Sequence, residues 1–119
     1  MFTIRKEQLA ILEKKEIEKF GERMVAHLRK VFPERSEVLG DNGLRDLIRY
    51  GVLRSASYRI VAERDVCKYI DLMMVFGRDF DQSRQYSWAA AILNAKKGPA
   101  RKMKVLFKTA KTHEKEQTA

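Results

Sequence analysis

Apolar positions in this chain recur at steps of three and four, not two, and that spacing predicts helices throughout. Ile17, Phe20, Met24, Leu28 and Val31 fall on one helical face, and Leu9 and Leu12 carry the stripe back toward Thr3, a residue type suited to an N-cap. Glu13, Lys14, Lys15, Glu18, Lys19 and Glu22 fill the solvent side. Gly21 weakens this segment, so one long bent helix and two shorter pieces both fit. Pro33 ends it at or before Phe32, because the residue before a proline is pushed out of the helical region. The stretch from Pro33 to Gly43, closing on Gly40-Asp41-Asn42-Gly43, reads as a turn.

Asp41 or Asn42 then caps a second helix whose apolar face is Leu44, Leu47, Ile48, Gly51 and Val52. Gly51 stands where a bulky residue would otherwise sit, which predicts close approach of a neighbouring helix. This helix ends near Ser57-Tyr58-Arg59, and a third runs from about Ala62 to Phe76 with Gly77 as its stop. Val66, Ile70, Met73 and Met74 point inward from it. Residues 77–87 form a polar loop pinned by Phe80 and Tyr86; Ser87 caps a short helix from Trp88 to about Asn94. Gly98-Pro99 opens a last helix through Met103, Leu106, Phe107 and Ala110, beyond which fraying is expected. The expected fold is all-α: one compact bundle of about five helices, with a long N-terminal helix and a basic C-terminal helix and tail.

Composition agrees with that picture and then narrows it. The 119 residues suit one domain, and 45% hydrophobic with 34% charged is ordinary globular usage. The single cysteine rules out an internal disulfide and fits a reducing compartment. Charge arrives too early in Met1-Phe2-Thr3-Ile4-Arg5-Lys6-Glu7 for a signal peptide. The longest apolar run, Leu72 to Phe76, falls far short of the ~20 residues that span a bilayer. A cytoplasmic protein with no membrane contact is expected. The net charge of +9 is uneven: from Lys96 to the end, eight basic residues face only Glu114 and Glu116, so this segment holds +6 of it. That divides the chain into a nearly balanced helical core, residues 1–95, and a basic appendage, residues 96–119.

Reactive groups are sparse. His27 and His113 have no second ligand at metal spacing in the sequence, and Cys67 has no companion cysteine. His27 reads as bordering the core and Cys67 as a small packed thiol. Gly40-Asp41-Asn42-Gly43 lacks the length and the lysine of a phosphate loop. Of the carboxylate pairs, Glu63 and Asp65 suit the first turn of a helix, and Asp79 and Asp81 suit a loop. No enzyme, cofactor or metal is expected. The order helix, turn, helix over Leu44–Met74 invites a DNA-reading comparison, but the second helix carries Glu63, Asp65 and Asp71 against Arg64 and Lys68. That face does not seek phosphate, so nucleic acid is an unfavoured partner.

A longer pattern runs through Phe20-Gly-Glu-Arg-Met24, Leu44-Arg-Asp-Leu-Ile-Arg-Tyr-Gly51, Ser57-Tyr58-Arg-Ile60, Glu63-Arg-Asp-Val66, Tyr69-Ile-Asp-Leu-Met73, Asp79-Phe-Asp81 and Trp88-Ala-Ala-Ala-Ile-Leu93. It resembles small helical proteins encoded beside type VI secretion effectors, often near VgrG or PAAR spike components and their adaptor chaperones. The resemblance spans roughly residues 3–95 and stops before the basic segment. A small polar residue usual before the Glu-Arg-Asp segment is replaced here by Val61-Ala62. What the resemblance implies is a non-enzymatic accessory or co-chaperone that binds an effector, its adaptor or a spike component. The alternatives are an immunity protein that neutralises a cognate toxin and a helix-turn-helix-like nucleic-acid binder. Tyr58, Arg64, Tyr69, Asp79, Asp81 and Trp88 are the expected protein-contact residues, being aromatic or polar beyond what packing alone requires. The competing expectation is that they pair with one another inside the fold.

Overall fold

The computed structural model describes residues 13–118, with side chains from 15 to 114. The expected N-cap Thr3 and the start of the long first helix, with Leu9 and Leu12, lie outside these residues. Five α-helices follow in order, and no strand occurs among the described residues: α1 (Glu13–Val31), α2 (Pro33–Ser57), α3 (Glu63–Phe76), α4 (Ser87–Leu93) and α5 (Pro99–Thr118). Two short 3₁₀ turns, Phe80–Gln82 and Arg84–Tyr86, join α3 to α4. The all-α expectation holds.

Helix α1 buries Phe20, Met24, Val25 and Leu28 against α2, leaving its charged face to solvent. Its end is also the start of α2. Phe32 is non-helical (φ −127°, ψ 64°) and Pro33 takes a first-turn position, where a missing N–H costs nothing. The Leu28 carbonyl, orphaned by the end of α1, accepts from the Phe32 N–H at 2.7 Å and the buried Ser36 hydroxyl at 2.9 Å. The turn expected over Pro33–Gly43 is therefore a correction: residues 33–39 are helical, and the chain breaks only at Gly40 (φ 71°, ψ 175°). Proline there starts a helix as readily as it ends one. Gly40 has open space around it, so its role is conformational, since this backbone region is essentially closed to side chains.

After the break, α2 buries Leu44, Leu47, Ile48, Gly51, Val52 and Ser55. Asp41 accepts from Arg45 Nε at 2.8 Å and lies 3.7 Å from Arg29 of α1, which lowers its pKa chiefly through the Arg45 bond. Helix α2 closes at Tyr58-Arg59, where Arg59 adopts a left-handed φ of 66° and Ile60 N–H reaches back to the Ser55 carbonyl at 2.9 Å. Ala62 is the N-cap of α3 and offers no side-chain bond, so the helix begins on the Val66 N–H to Ala62 carbonyl bond with Glu63 and Asp65 in its first turn.

Helix α3 is the centre of the molecule, packed on α1, α2 and α5. Val66, Tyr69, Ile70, Leu72, Met73, Met74 and Phe76 are all buried. A cap by Ser87 is a second correction: Ser87 is already helical and Tyr86 precedes it as N-cap without a side-chain bond, while the Ser83 hydroxyl accepts from Gln85 N–H at 3.2 Å in the preceding 3₁₀ turn. The expected fraying after Ala110 is a third, because α5 continues to Thr118. Met103, Leu106 and Ala110 put α5 into the same core as the other helices, packed on α3 and α4.

The predicted close approach at Gly51 is present. A Cβ added there would sit 2.6 Å from Ile70 Cγ1 and 3.0 Å from Met73 Sδ of α3. Gly21, also helical, has nothing within 4 Å of the equivalent point. Gly51→Ala should therefore lose about 1–2 kcal/mol through overpacking, and Gly21→Ala should gain about 0.5–1 kcal/mol through helix propensity. Urea unfolding of the two variants checks this pair of opposite signs.

Candidate functional site

Arg54 lies on the last full turn of α2 and Asp81 in the first 3₁₀ turn, and they form an ion pair in which the Asp81 side chain is wholly buried (0% exposed). The Arg54 Nε donates to Asp81 Oδ2 at 3.1 Å, and its Nη2 makes a second, shorter bond to the same oxygen. The Tyr58 hydroxyl donates to Oδ2 at 2.7 Å and accepts from Arg54 Nη2 at 3.1 Å. Arg54 and Tyr58 stand four residues apart on one helical face, which is why both reach one acceptor. With its amide oxygen turned to the guanidinium, Gln82 accepts from Arg54 Nη1 at 3.2 Å. A carboxylate without water needs such donors, and a planar guanidinium supplies them in fixed geometry.

The electrostatics follow from this enclosure. Asp81 raises the pKa of Arg54 through its hydrogen bonds. Burial, then the bond to Asp81, pushes the Tyr58 hydroxyl up to about 12. Burial and the negative charge of Asp81 also raise Tyr69. The Tyr69 hydroxyl and Asp81 Oδ1 are buried without a hydrogen bond of normal geometry. Tyr50, one turn before Arg54, donates its hydroxyl to the exposed Asp79, and Arg78 stacks 4.0 Å over its ring.

An aromatic series extends this network across the bundle. Tyr69 packs against Tyr58 at 6.5 Å and Phe80 at 5.2 Å between ring centroids, and Phe80 packs on Phe76 at 6.5 Å. Phe76 meets Tyr86 at 4.9 Å and Trp88 at 5.5 Å, edge to face. Trp88 then stacks flat on His113 of α5, 4.7 Å away and 4° from parallel, which places His113 in the folded body.

Of the six residues singled out in the sequence, Tyr58, Tyr69, Asp81 and Trp88 join this one internal system, and Asp79 touches its edge through Tyr50. Arg64 is not brought to it: it is exposed on the first turn of α3, where the neighbouring Glu63 pairs with Arg23 at 2.7 Å. Arg54, Tyr50 and Gln82 were missed. The spacing of Arg54 and Tyr58 was a visible signal, whereas nothing local links either to Asp81.

A second cluster sits on the other side of α3. His27 of α1 bonds Asp71 at 2.9 Å through Nε2, and Cys67 lies one turn before Asp71. Sequence spacing offered His27 no companion, but the α1–α3 packing supplies two. Burial and the Asp71 charge push the Cys67 thiol up to about 11, so it is a protonated, packed thiol at neutral pH. Burial likewise raises the Asp71 carboxyl, against the opposing charge of His27. Compared with protein-family models, with curated proteins and with solved structures, the chain has no match in any of the three.

Tyr58→Phe removes a bond to a buried charge and should cost about 1.5–3 kcal/mol. Tyr69→Phe removes a buried hydroxyl that makes no hydrogen bond of normal geometry and should change stability by less than about 1 kcal/mol. The folded state holds the Tyr58 proton up to about 12, against 10.0 in an unfolded chain, so this contribution is full below pH 10 and fades as pH rises toward 12. Unfolding free energies measured across that window should fall less steeply in Tyr58→Phe than in the parent chain.

Proposed function

We propose that this protein is a protein-binding accessory of the kind encoded with type VI secretion effectors, docking an effector, its adaptor or a spike component. The observation that carries the reading is an exposed set of aliphatic side chains around the first arm of α2. Val38 is 87% exposed, Leu39 40%, and Val31, at the adjoining end of α1, 49%. Large aliphatic groups left in water beside a break in a helix are suited to burial against a partner. Leu53, 60% exposed on the second arm, adds to the same helix. Charged Glu34, Arg35 and Glu37 are exposed among them and give the mixed, polar-rimmed character of a docking face.

The residues expected to make the contact support the reading differently. Tyr58, Tyr69 and Asp81 hold the scaffold, so the pattern carrying the family resemblance is largely a folding pattern. Exposed Arg101, Lys104, Lys108 and Lys111 fall at steps of three and four along α5. Such a row favours acidic partners and speeds encounter, an effect that salt suppresses. The nucleic-acid alternative would use α3, the most enclosed helix.

Native copurification tests the proposal, with Val38→Asp as the diagnostic variant. Recovery of an effector, adaptor or spike protein should fall about tenfold or more in Val38→Asp, with unfolding stability within about 0.5 kcal/mol of the parent, as for a surface substitution. Removing α5 would strip Met103, Leu106 and Ala110 from the core, so Lys104→Glu with Lys108→Glu tests its exposed charge instead. That variant should weaken recovery mainly at low salt. Failure to recover any such component, or recovery indifferent to Val38, contradicts the proposal. Binding of an isolated toxin domain with loss of its activity favours the immunity alternative.

A further inference from the structure

Among the described residues, the cluster on the α1 side of α3 brings a histidine, a cysteine and a carboxylate together. The Nε2 of His27 lies 2.9 Å from one Asp71 oxygen and 3.2 Å from the other. Cys67 precedes Asp71 by four residues, so the helix presents thiol and carboxylate on one face. One ligand atom from each of the three residues lies within 4.8 Å of the other two. We infer that His27, Cys67 and Asp71 form a binding site for a divalent zinc-like transition-metal ion joining α1 to α3.

Ligand type, charge and access each bear on this. Zinc accepts imidazole nitrogen at ~2.0–2.1 Å, thiolate sulfur at ~2.3 Å and carboxylate oxygen at ~2.0–2.2 Å in a tetrahedral arrangement. That geometry separates ligand atoms by about 3.3–3.8 Å, so His27 and Asp71 open by a few tenths of an ångström and the sulfur closes by up to about 1 Å. Side-chain rotation within one rotamer well covers such changes. A mixed nitrogen, sulfur and oxygen set suits zinc or cobalt and disfavours calcium or magnesium, which take oxygen ligands. One thiolate and one carboxylate neutralise a dication, so the half-buried cluster carries no net charge once loaded. Binding forms the metal–sulfur bond as the Cys67 S–H proton leaves to solvent, and the proton held between His27 Nε2 and Asp71 moves to Nδ1 or to solvent, so that the nitrogen and the carboxylate each bind the metal in place of one another. The His27 and Asp71 side chains are 35% and 19% exposed, which gives an ion a path and leaves a fourth position for water. The same pair without a metal is a simple α1–α3 hydrogen bond, and the experiment separates the two.

The probes are Co²⁺ and Zn²⁺ added to the full chain. One equivalent of Co²⁺ should give tetrahedral visible bands with a thiolate-to-metal charge-transfer absorption, and Zn²⁺ should displace it. Zn²⁺ should also shield Cys67 from alkylation, a readout of one site because the chain has a single cysteine. Cys67→Ser should remove the charge-transfer band. Cys67→Ser and His27→Gln should each weaken zinc binding by no less than the roughly 10- to 100-fold that a lost outer-shell partner costs. His113→Gln should leave binding unchanged, with circular dichroism checking the fold of each variant. The alkylation measurement needs no variant and stands if either substitution unfolds the chain. Octahedral cobalt without charge transfer, alkylation indifferent to zinc, or a folded Cys67→Ser that binds zinc as tightly overturns the inference.

Discussion

A carboxylate with its whole side chain out of water is the constraint around which this bundle is arranged. A carboxylate enclosed there needs donors, and they come from one end of α2, where Arg54 and Tyr58 reach the same Asp81 oxygen. The consequence is positional. The connection between α3 and α4 can sit in only one place, because moving it would strand both a buried anion and the guanidinium that answers it. Such a pair adds little net stability over a well-packed apolar substitute; what it adds is a single arrangement of the chain.

From that fixed point the aromatic side chains carry the arrangement outward. Tyr69 and Phe80 pack beside the ion pair, Phe76 passes the contact to Trp88, and Trp88 stacks on His113. The C-terminal helix, which looks like a charged appendage in one dimension, is thereby attached at its far half as well as through Met103 and Leu106. Arg101, Lys104, Lys108 and Lys111 lie on the outer face of a packed helix, whereas Lys102 is buried. On the opposite side of α3, His27 and Asp71 make the corresponding tie to α1. The interior holds the helices in register, and the aliphatic side chains of Val31, Val38 and Leu39 near Gly40 are left on the outside.

Helix positions were legible because periodic apolar residues such as Phe20, Met24 and Leu28 bury the same face they display in the sequence. Gly51 was legible for the same reason, since a gap in an apolar stripe marks a neighbour's approach. The segment from Pro33 to Gly43 was misread because proline and glycine punctuate a chain without saying whether the next conformation is turn or helix. Ser36 settles that locally by bonding the Leu28 carbonyl, a contact spanning eight residues. In the candidate site, Tyr58, Tyr69, Asp81 and Trp88 stood out as too polar or too large for a plain core, and they do share one network. Arg64 stood out equally and is a surface residue. The partners of Arg54 and His27 were not legible because they lie 27 and 44 residues away and are brought near only by the packing of α2 and α1 on the rest of the bundle.

The most direct measurement of the central claim is a double-mutant cycle on Arg54→Ala and Asp81→Ala, followed by urea unfolding. Arg54→Ala should cost about 3–5 kcal/mol, because it leaves the Asp81 carboxylate enclosed without its partner, and Asp81→Ala should cost less, because the Arg54 side chain keeps 27% of its exposure. The double variant should cost much less than their sum, giving a coupling of about 1.5–3 kcal/mol, and near-ultraviolet circular dichroism should report loosened packing of Trp88 in both singles. Additive effects, or single variants within about 0.5 kcal/mol of the parent, would contradict the account.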